Sequence, residues 1–106
     1  MHSESEVKYS LECYRVCTET IQHCLKMGGE HIEQKHFNLM LDCAKVCNTA
    51  ADFFMRDSAY REKLGVLCAE VCDACAASCD ALEGEEMKRC AKACRDCAAA
   101  CRGMGE

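Results

Sequence analysis

The sequence has no proline and no tryptophan, and only three phenylalanines and three tyrosines in 106 residues. Without proline, nothing obliges a helix to break, and the rigid turns typical of a loop-rich β fold lose one of their usual markers. Much of the 50% hydrophobic content is cysteine and alanine, and aromatics reach only 6%, so the bulky filler of an ordinary core is scarce. No apolar run approaches the roughly 20 residues a membrane span needs. A net charge of −5 leaves no basic face, which argues against nucleic acid and anionic membranes as partners. There is no Ser/His/Asp set, no phosphate-cradling glycine loop and no carboxylate constellation, so no catalytic activity is expected. Residues 1–106 are long enough for one small domain and too short for two.

What the chain has in excess is cysteine, thirteen in all. Eight lie between Cys68 and Cys101 as two copies of one pattern: Cys68, Cys72, Cys75, Cys79, then Cys90, Cys94, Cys97, Cys101. Spacings of four, three and four follow one face of a helix, so every inward position of both segments would be a thiol. The same seam runs upstream as Tyr9 or Ser10, Cys13, Cys17, Thr20, Cys24 and Met27, and again as His36, Met40, Cys43, Cys47, Ala50 and Phe54.

Punctuation then sets the helices. Ser3 as N-cap, with Glu6 completing a capping box, opens a helix over Glu4 to Met27 that Gly28-Gly29 closes. A second helix is expected from Glu30 to Met55. Arg56-Asp57-Ser58 breaks the chain, with Asp57 or Ser58 capping a third helix that continues to Leu82, and Gly65 costs that helix about 1 kcal/mol. Glu83-Gly84 separates it from a fourth helix, Glu85 to Arg102. Such short connections make sequence neighbours antiparallel, so the fold expected is all-α: an up-down-up-down antiparallel four-helix bundle with a Cys-lined core. The register would gather Met27, His36, Met40 and Met87 at one end, above Cys24, Cys79 and Cys90. Tyr9, Phe54 and Leu64 would close the other end, with Met104 in the tail there.

Six C-x-x-x-C pairs account for every thiol but one: Cys13/Cys17, Cys43/Cys47, Cys68/Cys72, Cys75/Cys79, Cys90/Cys94 and Cys97/Cys101, with Cys24 left alone. On a helix such a pair has Cβ atoms about 5–6 Å apart, beyond the roughly 3.5–4.5 Å of a disulfide. A metal reaches better, since two bonds of about 2.3 Å to sulfur span about 4.6 Å. Charge selects the metal. About three Zn²⁺ in four-thiolate sites would leave the core with about seven net negative charges, and no lysine or arginine falls on a Cys-lined seam to offset them. One Cu⁺ per thiolate leaves it neutral, and soft thiolate and thioether ligands favour Cu(I). The expected cargo is many Cu(I) ions per chain. Met27, His36, Met40 and Met87 would receive copper and pass it to the tighter thiolates.

Rival readings are a disulfide-bonded or thiol-redox helical protein, and a zinc or iron–sulfur protein. An odd number of cysteines cannot pair fully within one chain. The start MHSESEVKYS shows no basic region, apolar stretch or cleavage site, so a cytoplasmic address is expected, where disulfides are rare. Cys72-Asp73-Ala74-Cys75 and Cys94-Arg95-Asp96-Cys97 match C-x-x-C without the strand-to-helix context a redox motif uses.

With C-x-x-x-C pairs facing inward along a helical bundle, the whole chain resembles the bacterial copper storage proteins. That resemblance implies a four-helix bundle that stores or detoxifies copper, both cysteines of each pair as ligands, and a homo-oligomer, a tetramer in form. Thr20 and Ala50 depart from the pattern by standing where further thiols would fit.

Overall fold

In the computed structural model, residues 4–103 are described and form four α-helices: α1 (Glu4–Met27), α2 (Gln34–Met55), α3 (Arg61–Asp80) and α4 (Glu85–Gly103). The expected cap at Ser3 and the tail methionine Met104 lie outside the described residues. Each helix packs on its two sequence neighbours, with α4 returning to α1, in a rod of 43 × 18 × 17 Å. Sulfur pairs fix the directions. Cys13 meets Cys94 while Cys17 meets Cys90, and Cys43 meets Cys72 while Cys47 meets Cys68, so partners descend as the chain rises. The bundle is antiparallel and up-down-up-down.

Two helix starts differ from the sequence expectation, while α3 ends at Asp80 rather than Leu82 and α4 runs one residue further, to Gly103. The second helix starts at Gln34 rather than Glu30, because Gly28 and Gly29 both take positive φ (66° and 55°) and throw the chain into a 3-10 turn over Gly29–Ile32. Glu33 is extended, and its carboxylate accepts the His36 N–H at 3.1 Å, capping α2. Glutamate is not among the favoured capping residues, so this start carried no sequence signal.

The third helix starts at Arg61, because Asp57 ends α2 instead of capping α3. Asp57 has φ 52°, and its N–H reaches Phe54 O at 3.1 Å while Ser58 N–H reaches Phe53 O at 3.0 Å. These are the two bonds of a Schellman motif, in which glycine is the usual left-handed residue. Ser58 Oγ accepts from Tyr60 N–H at 3.1 Å, inside the connecting turn. Replacing Asp57 with glycine should therefore relieve left-handed strain and stabilise the protein by about 1 kcal/mol, or about 4–8 °C in Tm. A thermal melt of D57G with unchanged or lower Tm would show that the aspartate is not strained there.

The core is sulfur and small carbon. Twelve cysteines have no exposed surface and Cys101 has 4%, while Ala44, Ala50, Ala51, Ala69, Ala76, Ala91 and Ala98 are buried around them. Small side chains let the helices approach until the thiols touch across the axis. Phe54 plugs one end, with Tyr9 and Leu64 half-buried against the core. Among the described residues the buried polar ones other than cysteine are Ser10, Thr20 and His36. The ion pairs, such as Arg89–Glu19 at 3.0 Å, Arg95–Asp80 and Arg102–Asp73, lie on the outside, where each contributes little.

Candidate metal centre

The heptad-like seams project thiols from all four helices into one column, and most of their sulfurs form a connected series of contacts. Starting near Phe54, Cys68 Sγ lies 3.8 Å from Cys97 and 3.7 Å from Cys47, and Cys47 lies 3.5 Å from Cys72. Cys72 leads to Cys43 at 3.7 Å, Cys43 to Cys94 at 3.7 Å and to Cys13 at 3.9 Å. Cys94 leads to Cys17 at 3.8 Å, and Cys17 to Cys90 at 3.6 Å. Beyond that the bridge is a thioether. Met40 Sδ lies 3.6 Å from Cys75, 3.4 Å from Cys79 and 4.0 Å from Cys90. Cys24 sits at the end with His36 Nε2 3.8 Å from its sulfur.

Four sets of these thiols could each hold an ion, with ligand atoms all within 4.8 Å of one another: Cys13/Cys47/Cys72/Cys97, Cys13/Cys17/Cys43/Cys94, Cys17/Cys75/Cys90/Cys94 and Cys68/Cys97/Cys101. The sets share Cys13, Cys17, Cys94 and Cys97, which is what a cluster with bridging sulfurs requires and what separate four-thiolate zinc sites do not. A metal bound by three sulfurs at about 2.3 Å would hold them about 4 Å apart, so the observed contacts need only a small expansion. All thirteen cysteines are free thiols here.

Proton placement follows the contacts. Cys24 has few sulfur neighbours, and burial pushes it up to about 11. Hydrogen bonding with Cys17 draws Cys13 down to about 7, and Cys43 is drawn down by Cys13 and then Cys17. Their partners Cys17, Cys47 and Cys94 are pushed up, each first by its hydrogen bond with Cys13. A thiolate among donating thiols is stabilised, and each donor keeps its proton until a metal replaces it.

His36 was expected at this end, and its surroundings make it a ready ligand. Its Nδ1 lies 2.7 Å from Ser78 Oγ, which fixes the ring with Nε2 facing Cys24. Burial first, and then the neighbouring His31, hold its pKa below the usual imidazole value. Met40 and Met87 are fully buried, Met40 among the thiols of Cys75, Cys79 and Cys90 rather than a layer above them. Met27 departs from expectation: it is 57% exposed, as the last residue of α1, about 4.5 Å along the axis beyond Cys24, where the chain already turns away.

Sequence reasoning missed Ser78, an off-seam neighbour of Cys79 that nothing marked. It left Tyr9 and Ser10 open, and the structure selects Ser10, fully buried with Oγ 3.6 Å from Cys97 Sγ. Thr20 occupies its seam position, but its hydroxyl donates to Val16 O at 2.7 Å and is turned from the thiols.

Residues 1–106 match the family described as copper storage protein. A cysteine-rich protein of Bacillus subtilis, YhjQ, is 30% identical over 84% of this chain and 82% of its own length. The Nmul_A1745 protein of Nitrosospira multiformis superposes with TM-score 0.92 at 41% identity, over 96% of this chain and 93% of that one. Cu(I)-bound BsCsp3 superposes with TM-score 0.93 at 29% identity over 100% of both chains, and apo Csp3 of Bacillus subtilis with 0.88 at 30%, over 99% of this chain and 100% of its own. A match over its whole length, carried by a fold whose interior is a column of thiols, places this chain in the copper storage protein family.

Proposed function

We infer that this protein stores Cu(I) along its thiol column, as a reservoir or sink for copper and without catalytic activity. The observation that carries the reading is that contiguous, shared thiols fill an interior with no buried lysine or arginine among the described residues. Only a monovalent cation, exchanged one for one with protons, fills such a column without charging it. The ligands are Cys13, Cys17, Cys24, Cys43, Cys47, Cys68, Cys72, Cys75, Cys79, Cys90, Cys94, Cys97 and Cys101, and anaerobic titration with Cu(I) is the direct test.

Copper enters at the end carrying Cys24. There His36, Met40 and Met87 offer an imidazole and two thioethers, which keep no charge and release copper more readily than thiolates. The opposite end is closed by Phe54. Replacing His36 with alanine and Met40 and Met87 with leucine should slow Cu(I) loading and removal while leaving capacity nearly unchanged. Stopped-flow transfer from a copper chelate reads the rate, and wild-type rates in the triple variant would exclude this entrance.

No described helix is long and apolar enough to cross a membrane. We place the protein in the cytoplasm, where thiols stay reduced and ready for copper. Self-association fits the outer surface, on which Tyr60, Val66 and Leu25 are 62%, 70% and 53% exposed.

A further inference from the structure

Phe54 plugs the axis at the end of the bundle away from Cys24, but a groove opens on the side of that same end. Glu62, Ala69, Glu70 and Asp73, along one face of α3, line it together with Cys101 and Arg102 of α4, and its volume is 560 Å³. That is the size of a small-molecule site and far more than a bare ion needs. Cys101 lies at its floor with 4% of its surface exposed, while every other cysteine has none. Cys101 also belongs to one metal-holding set alone, Cys68/Cys97/Cys101, so an ion there ends the column. It connects to the interior through Cys97, which the neighbouring set Cys13/Cys47/Cys72/Cys97 shares, and through Cys68, 3.7 Å from Cys47. The charge lining the groove is uneven. Arg102 pairs with Asp73, whereas Glu62 and Glu70 carry no ion pair among the described residues.

We propose that this groove binds a small zwitterionic thiol, an amino acid or short peptide with a free sulfhydryl, which withdraws Cu(I) from the Cys68/Cys97/Cys101 site. The inference rests on the Cu(I) storage reading and adds to it the class of molecule that takes copper out, at the end opposite the entrance. Each part of such a molecule has a counterpart. Its ammonium meets Glu62 and Glu70, its carboxylate meets Arg102, whose five donors exceed what Asp73 can engage, and its sulfur faces Cys101. A thiol is as soft a ligand as the cysteine it replaces, and it is small enough to reach a sulfur that a folded protein partner could not. Each exchange forms one bond from copper to the incoming sulfur and breaks one to a protein sulfur, and the proton of the incoming thiol passes to the cysteine released. Once every protein sulfur on the ion has been exchanged, copper leaves as a complex of the small thiolates, still as Cu(I). The emptied site refills from within, because Cys97 belongs to the next set as well.

In the test, the full chain is loaded anaerobically with Cu(I) and mixed with L-cysteine, and a bulky anionic chelator, bathocuproine disulfonate, captures and reports each ion released. Release should quicken with cysteine and level off as the groove fills. It should run about fivefold faster than with mercaptopropionate, the same molecule without its ammonium, which is the scale of an exposed charge pair. In the double variant Glu62→Gln/Glu70→Gln that advantage should vanish, while Cu(I) capacity, helical circular dichroism and the rate of loading at the other end stay unchanged. Glu30→Gln/Glu83→Gln, which neutralises two carboxylates at the entrance end, should keep the advantage. Equal rates for the two thiols in the unaltered protein, or release that never levels off, overturn the inference and leave the storage reading standing. So does an advantage that survives in Glu62→Gln/Glu70→Gln or disappears in Glu30→Gln/Glu83→Gln. A protein that takes up no copper overturns the storage reading itself and the exit with it.

Discussion

Fully reduced protein, titrated anaerobically with Cu(I) against a competing chelator, should take up about one ion per thiol, on the order of ten or more per chain. The same protein should bind far fewer Zn²⁺, about three by the four-thiolate rule. The difference is electrostatic before it is a matter of affinity. Thirteen thiolates in a rod only 18 × 17 Å across would repel one another strongly in a medium of low polarity. Divalent ions in four-thiolate sites leave that charge half-compensated, and cations such as Arg95 and Arg102 lie on the outside, paired with Asp80 and Asp73. Monovalent copper replaces each proton at no change in net charge, so filling one site does not penalise the next. Loading should accordingly release about one proton per ion, countable in weakly buffered solution, and acid should oppose it by restoring protons to the thiols. Saturation at about three or four Cu(I) would mean isolated sites, and the column would then be packing rather than a store.

The bundle was legible in the sequence because its seams are written in one uncommon residue. A leucine seam predicts burial and little else, whereas cysteine at four-three-four spacing predicts burial and chemistry together. The contiguity of the thiols also followed, since antiparallel register alone brings Cys13 toward Cys94 and Cys47 toward Cys68. What was not legible depended on single backbone angles and on off-seam partners. Asp57 looked like an N-cap because aspartate favours that role, yet its positive φ serves the preceding helix. Glu30 looked helical by propensity, but two left-handed glycines in succession broke the chain there. Met27 satisfied the periodicity and failed on height, because a seam position past the last packed layer has nothing to pack against.

The reduced metal-free protein should already be helical, and copper should raise its melting temperature by about 20 °C or more. Sulfur contacts of 3.5–3.9 Å are van der Waals distances, so the apo column is closed rather than a cavity awaiting metal. The Schellman turn after α2, the Glu33 cap and the alanine-lined helix contacts specify the bundle without any ion. This separates it from small zinc domains whose folding waits on the metal. Its reserve is nonetheless thin, because alanine and cysteine bury far less apolar area than leucine or phenylalanine would. A ligand present at a thousand times its Kd adds about 4 kcal/mol per site, against a total stability of about 5–15 kcal/mol for a domain. Several sites filled together would dominate the stability. An unfolded chain also offers thiolates to copper, which reduces the gain, but it cannot hold sulfurs from four helices in bridging positions. Thermal melts followed by circular dichroism at successive copper loadings should show Tm climbing as the column fills. A disordered apo chain would refute the preformed bundle. A helical apo form whose Tm ignores copper would mean that folded and unfolded chains bind it equally well, leaving the ordered column with no part in holding the metal.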